Sequence, residues 1–172
     1  METIEAIRTR RSVRVFTEQD VGDELLAQIL EAGRWAPSGL NNQAWIFIAV
    51  RNAETKVELS KLTSYGSTIK VAPLLIVVFL DKEHMYNYIK DVQSVGACIQ
   101  NMLLAIHSIG LGGVWLGEIL KNRELVNKVL EVPDTFELMG IIAFGHPVYE
   151  KRSSQRKEIG KITFREKFGK TW

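Results

Sequence analysis

The chain contains three short stretches of almost uninterrupted apolar residues, which constrain its fold more than any other feature. They occupy residues 45–50, 73–80 and 139–144. Each has the length of a β-strand and no polar face, which is typical of a strand buried between other layers of structure. The longest apolar run, residues 72–80, is far shorter than the roughly 20 residues of a membrane-spanning helix. The pattern therefore predicts a buried sheet covered by helices.

Helical patterns separate these stretches. The predicted helices cover residues 4–7, residues 24–36 after a cap at Asp20 or Asp23, residues 53–62 after Asn52, residues 86–109 before Gly110, and a segment after Asn122. Strands and helices in this mixed order predict an α+β or α/β protein. The 172 residues contain no repeat and no low-complexity linker, so we expect residues 1–172 to form a single domain.

The composition is that of an ordinary globular protein, with 46% apolar and 24% charged residues. The single cysteine, Cys98, cannot form an internal disulfide, and its apolar surroundings favour a packing role in a reducing compartment. The first residues place acidic side chains before basic ones and lack the apolar core of a signal peptide. We therefore expect a cytoplasmic protein without a membrane partner.

The net charge of +2 hides two separate basic clusters. Residues 151–172 hold eight basic and two acidic side chains, a balance of +6, whereas the first 150 residues carry −4. Near the amino terminus, four arginines fall within seven residues: Arg8, Arg10, Arg11 and Arg14. Two compact clusters on an acidic body favour a discrete anionic ligand or an exposed basic tail over a broad nucleic-acid surface. We therefore expect no nucleic-acid partner.

Two polar segments are candidates for a ligand site. Residues 10–16 alternate with period two, so their basic side chains share one face of an extended segment. Clustered guanidinium groups repel one another, and a phosphate would compensate their charge through bidentate hydrogen bonds. A solvated basic strand edge is the alternative for this segment. In residues 37–43, amide and hydroxyl side chains beside a glycine suit the polar rim of a heterocycle, although an ordinary helix-to-strand loop has the same composition.

Several other chemistries lack the residues they need. Gly110 and Gly112 begin a G-x-G-x-x-G pattern, but Trp115 stands at the third glycine position and breaks the dinucleotide-binding motif. The Gly-Lys pairs at 160–161 and 169–170 lack the earlier glycine of a P-loop. The three histidines form no zinc motif and have no cysteine partners, so we expect neither a metal site nor a nucleophilic triad.

Three segments carry a family resemblance when they are taken together and in order. Residues 10–16 read RRSVRVF and are similar to an R-R-S-x-R-x-F opening. Residues 36–45 read APSGLNNQAW and resemble A-P-S-x-x-N-x-Q-P-W, with Ala44 in place of proline. Residues 110–117 read GLGGVWLG and resemble G-L-G-x-x-W-x-G. The chain therefore resembles the nitroreductase family of flavin enzymes over nearly its whole length.

The resemblance implies an α+β nitroreductase-like fold, with a central mixed, mainly antiparallel sheet flanked by helices. It also implies a homodimer with FMN sites at the subunit interface, in which the helix over residues 86–109 lies at that interface. The C-terminal extension would cross to the partner subunit. Phe164, Phe168 and Trp172 recur every four residues, and they would form an apolar stripe in need of a groove if this extension is helical.

The resemblance also implies which residues bind FMN. Arg10, Ser12 and Arg156 would hold the ribityl phosphate, and Arg11 would contribute through its backbone or side chain. Arg152 and Lys157 are alternatives to Arg156 in this role. Arg14 would approach the N1/O2 edge of the flavin ring, where a fixed cation stabilises the negative charge that develops on reduction.

The rest of the implied site surrounds the ring. The partner subunit would supply a covering loop containing Pro37, Ser38, Gly39 and Asn41. The segment made of Trp115, Leu116 and Gly117 matches the family stretch along the other side of the ring, with backbone groups near the flavin N5 atom. No side chain is expected to act as a catalytic acid or base.

The implied activity is the oxidation of NADH or NADPH and the reduction of a nitroaromatic, quinone or similar small acceptor. One alternative is a specialised flavin enzyme of the same fold, such as a dehalogenase, a dehydrogenase or a flavin-processing enzyme. Another is a non-enzymatic flavin-binding protein, or a basic-tailed protein that binds RNA or an acidic partner through residues 151–170.

Overall fold

The computed structural model describes residues 1–148 and 153–171, and its centre is a four-stranded antiparallel sheet. The strands are β1 (Trp45–Val50), β2 (Leu74–Asp81), β3 (Gly112–Leu116) and β4 (Phe136–Gly145), in the order β1-β2-β4-β3. Every residue of β2 is buried, as its apolar sequence from Leu74 to Leu80 predicts, and the terminal Asp81 is buried as well. The three apolar stretches therefore form β1, β2 and most of β4, and the mainly antiparallel α+β architecture is as expected.

Helices cover both faces of the sheet. On one face lie α2 (Asp23–Arg34) and the long α5 (Tyr88–Ser108), with α1 (Thr3–Thr9) against α5. On the other face lie α3 (Ala53–Ser60), α4 (Gly66–Val71) and α6 (Arg123–Val129). Alternate residues of β2 point to the two faces, so Ile76 and Val78 pack in the cluster containing α5, while Val77 and Phe79 pack in the opposite one.

The predicted helix ends are only partly correct. Asn52 caps α3 by accepting a hydrogen bond from the backbone N–H of Thr55 at 2.9 Å, and Gly110, at φ +84°, follows the end of α5 as predicted. Neither Asp20 nor Asp23 caps α2, because Gly22 occupies the N-cap position without a side-chain bond. Among the described residues, no helix is long and apolar enough to cross a membrane.

Residues 10–16 form an extended arm rather than a full strand. The arm makes one parallel bridge, from Ser12 to Gly113, and one antiparallel bridge, from Phe16 to Pro147. Phe16 is buried whereas Arg14 and Val15 are exposed, so the period-two alternation expected over residues 10–16 does not hold at the end of the arm. The arm runs beside β3, and this position brings the N-terminal arginines next to the end of the sheet.

A β-bulge interrupts β4 close to its centre. Val78 pairs with Gly140 and Phe79 pairs with Leu138, which leaves Met139 as the extra residue. Gly140 has φ +151°, a conformation that side-chain-bearing residues rarely adopt. A Cβ atom at this position would collide with the indole of Trp115 on the neighbouring strand. The bulge and its glycine therefore make room for the Trp115 ring.

The C-terminal segment is not helical over residues 162–171, so the condition for the apolar stripe is not met in the part that the structure describes. It contains a 3₁₀ turn at Ile159–Lys161 and then reverses direction, with positive φ at Glu166 and Gly169 and a bridge from Phe164 to Thr171. The rings of Phe164 and Phe168 still meet, with centroids 4.6 Å apart. Trp172, the third member of the predicted stripe, lies outside the described residues.

Candidate functional site

The two basic clusters of the sequence meet in one cleft. Its volume is about 380 Å³, and its lining residues are Arg10, Arg11, Ser12, Arg14, Ser153, Ser154 and Arg156. The extended arm supplies the first four residues, and the chain beyond β4 supplies the others. Arg152, the first alternative to Arg156, lies outside the described residues, and the second alternative, Lys157, does not line this cleft. Folding thus brings Arg156 next to arginines that lie more than 140 positions earlier in the sequence.

The charge in this cleft is uncompensated within the described residues. No carboxylate lines the cleft, and Arg10, Arg14 and Arg156 form no ion pair with any residue that the structure describes. The pKa of Arg10 is lowered from its ordinary value, first by burial and then by the charges of Arg11 and Arg156. A group of cations with no carboxylate among the described residues that line it is a site that an anion would stabilise.

Arg11 plays a different part in the cleft. Its Nη1 atom donates to the carbonyl oxygen atoms of Arg8, at 2.8 Å, and Arg10, at 2.9 Å. Its Nε atom is buried and has no hydrogen-bond partner. The Arg11 side chain therefore folds back onto its own backbone and orders the arm. The other arginines of the cleft occupy the positions that face outward.

Arg14 lies at the edge of the cleft against an aromatic ring. Its guanidinium carbon is 5.7 Å from the centroid of Tyr65, which is a cation–π distance. Tyr65 belongs to the loop between α3 and α4, residues 61–65. This contact fixes a cation without neutralising its charge.

The segment predicted to lie along a flavin ring ends β3 and starts the following 3₁₀ turn, Glu118–Asn122. The Trp115 side chain is partly exposed, whereas that of Leu116 is buried in the core, so only the backbone of Leu116 can face a ligand. Gly117 is exposed, and a Cβ atom there would have no neighbour within 4 Å. The backbone around Gly117 is therefore open to a flat molecule.

Glu118, which follows directly, joins this segment to the loop of Tyr65. Its Oε2 atom accepts hydrogen bonds from the Thr63 hydroxyl at 2.6 Å and from the Ser64 backbone N–H at 3.0 Å, and its Oε1 atom pairs with Lys121. Hydrogen bonds from Lys121, Thr63 and Ser64 lower the pKa of Glu118 to about 2. The carboxylate is therefore ionised at neutral pH, and both of its oxygen atoms have partners.

The loop predicted to cover a flavin lies elsewhere on the molecule. Pro37, Ser38 and Gly39 line a cavity of about 350 Å³ with residues 90–97 of α5, and Asn41 is exposed beside them. The arginine cleft is a different cavity, so the fold of one chain does not bring these two parts of the predicted site together. This separation is what a loop donated to another subunit would show.

The same loop is held in a strained shape. Leu40, Asn41 and Gln43 all have φ between 50° and 56°, which side-chain-bearing residues seldom adopt. The buried carboxylate of Asp91 stabilises the loop by accepting a hydrogen bond from the Asn42 amide at 2.8 Å. It also accepts from the backbone N–H groups of residues 86 and 87, which ties the loop to the start of α5.

Sequence reasoning did not find Tyr65, Glu118 or Asp91. Glu118 could have been noticed as an acidic residue directly after the G-L-G-x-x-W-x-G motif, whereas Tyr65 lies in a segment without a pattern. Cys98 is fully buried, and burial raises the pKa of its thiol to about 12, as its predicted packing role requires. Within residues 1–148 and 153–171, no group of three or more metal-ligating side chains could hold a metal ion.

A basic cleft and an open backbone segment, carried by one antiparallel α+β fold, are features that suit a protein that binds a flat, anionic cofactor. The model of the family described as "Nitroreductase family" matches residues 7–70 and 61–146. The chain therefore belongs to the nitroreductase family, and the family expected from the three motifs is confirmed.

Known relatives agree with this assignment. A Methanothermobacter thermautotrophicus protein named for NADH dehydrogenase/NAD(P)H nitroreductase activity is 36% identical over 151 residues, which are 86% of this chain and 78% of the relative. A Desulfovibrio desulfuricans nitroreductase-type structure in complex with FMN is 42% identical, with a TM-score of 0.91 over 98% of this chain and 99% of that one. The NADPH:FMN oxidoreductase of Vibrio harveyi, solved with NAD⁺, is 25% identical with a TM-score of 0.89 over 96% and 77% of the two chains. The predicted fold class is confirmed by these structures.

Proposed function

We propose that this protein is an FMN-dependent NAD(P)H oxidoreductase that reduces nitroaromatic, quinone or related small acceptors. The observation that carries the proposal is the cleft of unneutralised guanidinium groups, which lies within the same chain as an open backbone segment at Gly117. The names of the relatives point to the same cofactor and the same reductants. Residues 1–172 would act as a single flavin-binding domain.

The cleft fits the phosphate of FMN. Arg10 and Arg156 present guanidinium groups that form no ion pair with the described residues, and two hydroxyl side chains, Ser153 and Ser154, line the same space. A phosphate with about two negative charges would accept bidentate bonds from the arginines. It would also relieve the repulsion by Arg11 and Arg156 that adds to burial in lowering the pKa of Arg10. We assign Arg10, Ser12 and Arg156 to the phosphate, with Arg11 ordering the arm that carries them.

The flavin ring would lie between Arg14 and the segment at residues 115–117. When bound, FMN supplies the redox chemistry, because its N5 atom accepts a hydride from NADH or NADPH and the reduced ring then reduces the acceptor. Arg14 would hold positive charge beside the N1/O2 edge and favour the reduced cofactor. The backbone at Leu116 and Gly117 would orient the ring, and Trp115 would limit the space beside it.

The chain would act as a homodimer. Trp35 and Leu40 are 75% and 83% exposed, and Phe168 at the C-terminal end is 91% exposed. Among the described residues, the backbone hydrogen bonds of the C-terminal segment all lie within the segment, including the bridge from Phe164 to Thr171, and its large apolar side chains are exposed. A second copy would bury these side chains and bring its loop with Pro37, Ser38, Gly39 and Asn41 to the arginine cleft.

The direct test is reconstitution with the cofactor. The purified protein is expected to show flavin absorption bands, or to gain them after incubation with FMN. The loaded protein should then oxidise NADH or NADPH in the presence of a nitroaromatic or a quinone without oxygen. A protein that stays colourless after incubation with FMN would contradict the proposal.

A comparison of FMN with riboflavin tests the phosphate assignment. Riboflavin has the same ring but no phosphate, so only FMN binding depends on the cleft. Arg10→Gln and Arg156→Gln should each weaken FMN binding by about 10- to 100-fold, from roughly 1.5–3 kcal/mol per charged contact, and leave riboflavin binding unchanged. Lys157→Gln is the matched control, because Lys157 does not line the cleft. Equal losses for both flavins would refute the assignment.

Complementation between subunits tests the shared site. Arg10→Gln impairs the cleft, and Asn41→Ala impairs the loop. In a mixed dimer of these variants, a loop donated across the interface creates one site with both substitutions and one fully wild-type site. FMN binding and turnover should therefore return in about half of the sites of the mixed dimer. No recovery would show that cleft and loop act within one chain.

A further inference from the structure

We infer that Glu118 is a positioning residue that fixes Arg14 at the flavin edge through the loop of Thr63, Ser64 and Tyr65. This inference rests on the proposed function for the role of Arg14. The contacts themselves belong to the protein without cofactor and can be tested there. Glu118 lies next to Gly117. It therefore joins the segment at residues 115–117 to the loop of Tyr65, and these two segments would face opposite parts of the flavin ring.

The hydrogen bonds between the two segments are several and mutually supporting. Besides the two bonds that Glu118 accepts from Thr63 and Ser64, the Asn122 amide donates to the Leu62 carbonyl at 2.7 Å. The Thr63 hydroxyl also accepts from the Tyr65 backbone N–H at 3.2 Å. These bonds set the position of Tyr65 relative to the turn after β3.

Tight packing at the end of the loop restricts it further. A Cβ atom at Gly66 would collide with the carbonyl oxygen of Ser60, so the chain passes this point with almost no free space. The loop is thus fixed at Gly66 by packing and at residues 62–65 by hydrogen bonds. The position of the Tyr65 ring follows from these two restraints.

Among the described residues, Tyr65 makes the only cation–π contact with Arg14. Arg14 forms no ion pair with these residues. A ring face orients a guanidinium group and leaves its full positive charge available to a ligand. A carboxylate partner would orient it equally well but would cancel that charge. Glu118 itself is paired with Lys121, so its negative charge is balanced locally.

Hydrogen–deuterium exchange in the apoprotein tests the contacts without FMN. Glu118→Ala should increase exchange at the Ser64 and Tyr65 amides by about tenfold or more, because the loop loses its acceptor. Glu118→Gln, whose amide oxygen can still accept both bonds, should restore most of the protection. Glu124→Ala is the matched control, since Glu124 is an exposed residue of α6, six positions further along the chain. Unchanged exchange in Glu118→Ala would overturn the inference.

The potential of bound FMN tests the effect on Arg14. Glu118→Ala and Tyr65→Leu should each make the potential more negative and weaken FMN binding by about two- to fivefold, the size of one cation–π contact. Tyr65→Phe keeps the ring and should behave as wild type. In an Arg14→Ala background, Glu118→Ala should cause no further shift. A shift that persists without Arg14 would show that Glu118 acts by another route.

The exchange and potential experiments separate this inference from the proposed function. If the wild-type protein binds no FMN, the proposed function fails. The link from Glu118 to a flavin then fails as well, whatever hydrogen–deuterium exchange shows about the contacts of Glu118. If the wild-type protein binds FMN and the exchange or potential results go against Glu118, the proposed function stands and the inference alone fails.

Discussion

Two glycines flank the indole of Trp115, and alanine at each should change stability in opposite directions. Gly140 lies at the β4 bulge with φ +151°, and a Cβ atom there would collide with the pyrrole side of the indole. Gly96 lies inside α5, where a Cβ atom would be 3.9 Å from the far end of the same indole, an ordinary van der Waals distance. Gly140→Ala and Gly96→Ala therefore probe one side chain from two sides.

The magnitudes follow from these geometries. Alanine at Gly140 faces about 1–3 kcal/mol of backbone strain and about 1–3 kcal/mol for displacing a packed ring. We expect a loss of about 3 kcal/mol, which corresponds to a fall in melting temperature of roughly 6–12 °C for a protein of this size. Alanine at Gly96 removes the entropic cost of a helical glycine and should gain up to about 1 kcal/mol.

Urea unfolding followed by far-ultraviolet circular dichroism measures both changes, with all proteins at the same concentration because a dimer's stability depends on concentration. Two results would refute the reasoning. One is a loss below about 0.5 kcal/mol for Gly140→Ala, the size of an ordinary surface substitution. The other is a loss for Gly96→Ala as large as that for Gly140→Ala, which would show that the space beside the indole end is already filled.

Three further predictions concern other parts of the molecule. Cys98 is fully buried and its thiol pKa is raised to about 12, so a thiol reagent should label the protein only after denaturation, and rapid labelling of the folded protein would contradict this. The pKa of Glu118 falls from its ordinary value of 4.5 to about 2 on folding, so its contribution to stability is complete above pH 4.5 and is lost as the pH falls towards 2. Urea midpoints should therefore decline less steeply over this window in Glu118→Gln than in wild type, and parallel curves would argue against the shift. Phe168→Ser should weaken dimerisation in sedimentation experiments with little effect on secondary structure, whereas an unaltered dimer would place Phe168 outside the interface.

The sheet could be predicted from the sequence because burial leaves a direct pattern. β2 is apolar on both faces, and all eight of its residues are buried. The ends of elements were less predictable, since side chains that can cap a helix also have other partners. Asn122 stands at the N-cap position of α6 as predicted, but its side chain donates to the Leu62 carbonyl and makes no capping hydrogen bond. Asp23 binds Arg51 at 2.8 Å.

The candidate site shows a similar division. The charge pattern and the motifs indicated the residues of the arginine cleft, because like charges gathered in a short segment are costly without an anion. The sequence position of Glu118 after the motif was visible, but the roles of Tyr65 and Glu118 could not be predicted, since they arise from long-range contacts between residues 62–65 and 118–122. Whether the C-terminal extension is helical could not be decided from its apolar spacing, because that spacing does not reveal the chain reversal at Glu166 and Gly169.

The arginine cleft joins residues 10–14 to residues 153–156, and this has a consequence for the order in which its parts form during synthesis. The sheet is complete once β4 ends at Gly145, when every buried strand has been made. Arg156 is translated only afterwards, so a nascent chain can form its core while the arginine cleft still lacks one wall. Binding of an anion in the cleft would then follow the formation of the sheet.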